Sequence, residues 1–137
     1  MRVFKTITIA LVTAGIVTLL PLSAPADEFI VYSVYRSIDL GNPNDPPQRD
    51  YYINMGSSQG LASGGTVEVV RRTPTYDLTS QKLYKDVAFP IARLKVIHVE
   101  ANAAIARLDK MLPNEKTPAI SPRAVMVGDL VRQARGN

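Results

Sequence analysis

The chain has 137 residues, one histidine, no cysteine and a formal net charge of +4. Lacking cysteine, it has no disulfide framework, thiolate metal site, cysteine nucleophile or lipid-modified N-terminal cysteine. Two of the 16 basic residues, Arg2 and Lys5, lie in the first five positions, and without them the basic excess over the 12 acidic residues is two, which gives no sign of nucleic-acid or anionic-membrane binding.

Arg2 and Lys5 form a basic head, Thr6 to Leu20 is uncharged, and Ala24-Pro25-Ala26 places small residues two apart before Asp27-Glu28. This is the layout of a secretory signal peptide cleaved after Ala26. A membrane anchor is the competing reading. At about 1.5 Å per residue the uncharged run spans only about 22 Å, short of the roughly 30 Å hydrocarbon core. Pro21 also stops a helix where a span would have to continue. The expectation is export to the periplasm, with no stable anchor after cleavage. The division that follows is a leader over 1–26, a strand and Pro-rich arm over 27–50, and a β-barrel domain over 51–137.

Phe29 to Ile38 is rich in β-branched and aromatic residues and reads as a strand with apolar bulk on both faces, covered on both sides for part of its length. Asp39 to Asp50, with three prolines, reads as a loop, and Tyr51 to Met55 as a short strand. Gly56, Gly60, Gly64 and Gly65 punctuate the next ten residues, where turns or close backbone approach are needed. Thr66 to Arg72 returns as a strand, and Thr73 to Asp86 reads as a polar excursion, a long hairpin loop or ragged edge. Ile91 to Glu100 alternates most clearly, with Ala92, Leu94, Val96 and His98 on one face. A turn at Ala101-Asn102 leads into a return strand over Ala103 to Leu108. Lys110 to Pro122 holds three more prolines and reads as loop. Ala124 to Arg132 reads as a last strand interrupted at Gly128-Asp129. About six short strands with turn-rich connections predict an all-β barrel or small sandwich.

Few residues carry reactive chemistry. His98 sits among Val96, Ile97 and Val99 and reads as a packed or rim histidine; Glu100 alone does not complete a metal site. Gly56-Ser57-Ser58-Gln59-Gly60 matches Gly-x-Ser-x-Gly in letters, but the glycines after it prevent the helix that a nucleophile elbow needs. With Ser57, Ser58 and Ser63 in that loop and His98 the only base available, the expectation is no catalytic residue, no metal and no cofactor. Arg71, Arg72, Tyr76, Lys82, Tyr84 and Lys85 collect basic and aromatic residues around one loop. They read as a docking surface for a partner or as a solvated hairpin. Tyr51 and Tyr52 offer a stacking platform for a sugar, or rim packing.

The order Asn54-Met55-Gly56, Gly60-Leu61, Gly64-Gly65-Thr66, then Pro90 to Val99, then Val127-Gly128-Asp129-Leu130-Val131 resembles the C-terminal domain of flagellar assembly protein T, a small SH3-like β-barrel module. The resemblance covers Tyr51 to Arg132. It implies that Gly60 turns the chain at a barrel mouth plugged by Leu61. It also implies that Gly56 and Gly65 serve turns, that Gly128 relieves crowding, and that Asp129 accepts backbone N–H groups. The function expected is non-enzymatic: a binding or scaffolding module of a trans-envelope assembly such as a flagellar motor, pilus or secretion system. Its partners would be other envelope proteins, in one version as an oligomeric ring. The Pro-rich segments 39–50 and 113–122 would be contact arms ordered by a partner. The alternative is a peptidoglycan- or carbohydrate-binding module using Tyr51, Tyr52 and Tyr76.

Overall fold

The computed structural model describes residues 27–135. The leader read over 1–26 lies outside the described residues. The fold is all-β: β1 (Val31–Arg36), β2 (Arg49–Ile53), β3 (Thr66–Asp77), β4 (Lys82–Val99), β5 (Ala104–Met111) and β6 (Leu130–Gln133), with two short 3-10 turns. They form one antiparallel sheet in the order β1-β2-β5-β4-β3-β6. The sheet is not a closed barrel. Its outer strands meet at a single bridge, Ile30 opposite Leu130, where the Val131 N–H donates to the Phe29 carbonyl at 2.7 Å and the Val31 N–H to that of Asp129 at 2.9 Å.

The core comes from alternation. Tyr51 and Ile53 on β2, Val67 and Val69 on β3, Leu94 and Val96 on β4, and Ala104 and Ala106 on β5 all point inward and are buried. Each large aliphatic side chain buried this way stabilises the fold by about 1.5–3 kcal/mol. Leu61 and Val125 join from loops and close over the same cluster.

Several expectations need correction. The strands are not uniformly short: β3 has 12 residues and β4 has 18. The segment over 73–86 is mostly ladder, since Thr73 pairs with Val87 and Asp77 with Lys82, leaving a tip at 78–81. It gave no strand signal because neither of its faces is buried. β1 is not covered on both faces, for Tyr32 and Tyr35 are exposed while Val31 is fully buried. The last strand begins only at Leu130, because Gly128 and Asp129 form a turn ahead of it: the Asp129 N–H donates to the Met126 carbonyl at 3.2 Å.

The second Pro-rich segment is not a free arm. Ile120 packs against the core, Arg123 donates to the Leu112 carbonyl, and Arg71 holds the carbonyls of Pro122 and Ala124 at 2.9 and 2.6 Å. The first is a structured loop, with side-chain turns in which Asp39 accepts from Gly41 N–H and Asn42 from Asn44 N–H.

Candidate functional site

Beyond Val70, β3 loses its β6 partner, and before Ala92, β4 has none in β5. The stretch Arg71–Asp77 with Lys82–Phe89 therefore continues as a two-stranded ribbon paired only with itself. Seven residues at about 3.3 Å each carry it about 23 Å past the sheet. A lone ribbon is marginal in water unless a packed root supports it, and Arg71 supplies that root.

Arg71 is the best-buried of the basic residues singled out above. Its Nε and Nη2 donate to Asp129 Oδ1 and Oδ2 at 2.9 and 2.8 Å, while its remaining donors take the two loop carbonyls already named. The side chains of the pair are 12% and 6% exposed. The hydrogen bonds to Asp129, helped by its charge, push the guanidinium's pKa up against the opposing effect of burial. Arg71 is thus a structural clamp, and its reading as a partner-binding residue is corrected. Asp129 also accepts the Met126 N–H at 2.8 Å, which is the backbone role expected of it.

Arg72 points to solvent and pairs with Glu28, with Asp86 Oδ2 3.9 Å from its Nε. The hydrogen bond to Glu28 and then its charge raise the arginine's pKa, and the same contact lowers that of Glu28. Tyr76, Lys82, Tyr84 and Lys85 are exposed along the ribbon. Tyr76 lies opposite Leu83, and Thr75 opposite Tyr84, so the two tyrosines occupy opposite faces. Lys85 and Asp86 together face the single residue Pro74, a bulge that bends the ribbon. Leu78 and Leu83, 84% and 71% exposed, were not singled out from the sequence. Two large aliphatic residues within an otherwise polar stretch were the available signal. Pro74, Lys82 and Lys85 blunt the ribbon's free edges against strand addition, leaving its side-chain faces as the open surface.

The paired tyrosines split. Tyr51 is 2% exposed and belongs to the core, so it offers no stacking face; Tyr52 points outward and meets Tyr32 edge to face at 6.2 Å. Tyr76 lies away from both, on the ribbon. His98 is not packed: a register shift between Val96 and His98 turns it outward, where its Nε2 is 2.7 Å from Glu100 Oε1. Among the described residues no hydrogen bond joins His98 to Ser57, Ser58 or Ser63; Ser63 Oγ donates to the Ile97 carbonyl at 3.4 Å.

The glycine loop is a docking point for backbone. Ser57 and Ser58 N–H donate to the carbonyls of Glu100 and Ala101, both at 2.9 Å, and a Cβ on Gly56 would lie 2.3 Å from the first of those oxygens. Gly60 caps the 3-10 turn with φ +83°, and a Cβ on Gly65 would sit 2.9 Å from the Ala62 carbonyl. Gly128 departs from its expected role: a Cβ there meets open space, so its φ of +93° is what calls for glycine, not crowding.

Among the described residues no group of three or more His, Asp or Glu side chains is placed to hold a metal, and no helix is long and apolar enough to cross a membrane. Neither a protein-family model nor a curated protein sequence matches the chain.

Proposed function

We infer that this chain is an exported, non-enzymatic scaffolding module of the cell envelope, which docks on a partner protein through the ribbon of β3 and β4. The observation that carries this reading is the ribbon itself. It is an extension that touches the core only through Phe89 at its root, is clamped there by Arg71 and Asp129, and bears Tyr76, Leu78, Leu83 and Tyr84 in solvent. Clustered aromatic and aliphatic side chains of this kind are what interfaces bury. With a large apolar residue on each face, the ribbon suits a partner that grips it from both sides. Arg71 and Arg72 are already paired within the chain, so apolar burial supplies the affinity, and Lys82 and Lys85 set the approach.

The reading of export to the periplasm rests on the leader pattern of residues 1–26. The reading of an SH3-like barrel rests on the motif order and on the Ile30–Leu130 bridge that brings the sheet's outer strands together. The resemblance to flagellar assembly protein T makes a trans-envelope machine the natural setting. Crosslinking in intact cells, followed by identification of the trapped protein, tests this reading. A discrete envelope partner, lost in the double variant Tyr76→Ser/Leu83→Ser, supports it; a partner retained in that variant, or no partner at all, overturns it.

A further inference from the structure

A second surface lies on the opposite arm of the sheet. Tyr52 on β2 is directly opposite Ile105 on β5, which is directly opposite His98 on β4. These three therefore form one transverse row on the outer face of three neighbouring strands. Two register shifts shape this surface. Between Val31 and Ser33, Tyr32 is the additional residue of β1, standing beside Tyr52; between Val96 and His98, Ile97 is the additional residue of β4, which brings His98 outward. Without the second shift, strict alternation would send His98 to the same side as the buried Val96. Bulges re-aim side chains in this way, and they concentrate next to functional sites.

The row floors a shallow cavity of about 230 Å³, completed by Glu100 and Ala103. Its contents are mixed in a definite order. At one end stand the two tyrosine rings, with centroids 6.2 Å apart and planes inclined at 63°; in the middle lie Ile105 and the alanines; at the other end His98 is hydrogen-bonded to Glu100 Oε1. The other carboxylate oxygen of Glu100 has no partner among the described residues, and the tyrosine hydroxyls are likewise unengaged. The volume is below the roughly 300 Å³ at which pockets for drug-sized ligands begin, so one small ring fits.

We propose that this shelf binds one pyranose ring of an N-acetylated amino-sugar oligomer. The C–H face of the ring stacks on Tyr52 and Tyr32, whose negative π-faces attract it. Its hydroxyls donate to the free Glu100 oxygen and exchange hydrogen bonds with His98. The acetamido methyl covers Ala103 and Ile105, the apolar strip that a plain sugar leaves wet. The site shares no residue with the ribbon, so it stands or falls independently of the docking reading.

The test uses the chain's composition. His98 is the only histidine, so its imidazole protons give one NMR signal pair to follow, and with no tryptophan the intrinsic fluorescence is that of the tyrosines. The purified protein is titrated with chitotriose, with cellotriose and with a proline-rich decapeptide. The proposal expects saturable shifts of the His98 resonances with chitotriose, binding at least about tenfold weaker in Tyr52→Ala, and binding to cellotriose weaker by a similar factor. Tyr32→Ser, at a half-exposed bulge position, repeats the comparison should Tyr52→Ala fold poorly. Chitotriose shifts that do not saturate, or that are unchanged in both variants, overturn the site. Equal binding of cellotriose overturns the N-acetyl assignment, and saturable shifts with the peptide alone overturn the sugar class.

Discussion

Arg71 and Asp129, 58 positions apart in sequence, face each other with two parallel hydrogen bonds of 2.9 and 2.8 Å, and through them the root of the ribbon is tied to the turn that launches β6. The fork of the guanidinium fits both carboxylate oxygens, a geometry that lysine does not reproduce. Removing Arg71 leaves the buried Asp129 carboxylate with only the Met126 N–H as a partner. Arg71→Met is therefore expected to lower stability by about 3 kcal/mol or more, measured by urea denaturation. Arg71→Lys should recover only part of that loss. A change below about 1 kcal/mol, the range of an exposed pair, would contradict the clamp.

Two glycines separate steric demand from backbone demand. Gly56→Ala drives a methyl into the Glu100 and Ala101 carbonyls and breaks the contact between the glycine loop and the end of β4. Gly128→Ala meets open space and costs only the strain of a positive φ, about 1–2 kcal/mol. Thermal denaturation should rank Gly56→Ala as much the more damaging; equal losses, or the reverse order, would be inconsistent with this packing.

The ribbon's apolar residues contribute little to folding. Leu83→Ser and Tyr76→Ser remove exposed side chains and are expected to shift stability by no more than about 0.5 kcal/mol, read from the same denaturation curves. A loss of about 2 kcal/mol in either would mean that the ribbon packs on its own domain.

Acid should weaken one contact in a defined direction. Arg72 holds the Glu28 carboxyl below its usual 4.5, first by hydrogen bonding and then by charge. A carboxyl lowered in the folded state stabilises above its unfolded value, and that contribution is lost as pH falls through the lowered folded value. The stability difference between the native chain and Glu28→Gln should thus be constant near neutrality and shrink as the pH falls below about 4.5. Since both groups face solvent, the effect is small and sensitive to salt. A difference that persists unchanged to low pH would mean that the charge of Glu28 plays no part.

The strand alternation through Ala92, Leu94 and Val96 was legible because one face of β4 is buried there, and the turn at Ala101-Asn102 followed from it. The pattern ceased to be informative at the register shifts. One additional residue inverts which side chains face inward, so His98, counted with Val96, faces the other way, and Val34, counted with Tyr32, turns in beside Tyr51. The ribbon was hidden for a different reason: with neither face against a core, residues 73–86 have no hydrophobic period to read. The partnership of Arg71 with Asp129 left no local trace at all, because only the tertiary fold brings those positions together. Tyr51 and Tyr52 were singled out as a pair, yet adjacent positions on a strand face opposite ways, and alternation alone assigns them to different environments.

The docking claim is tested most directly by a photo-crosslinking amino acid placed at Leu83 in living cells, with the exposed β5 position Lys110 as the control. A single protein adduct of defined mass at Leu83, absent at Lys110, is the predicted result. No adduct at Leu83, or the same adducts at both positions, would contradict the account.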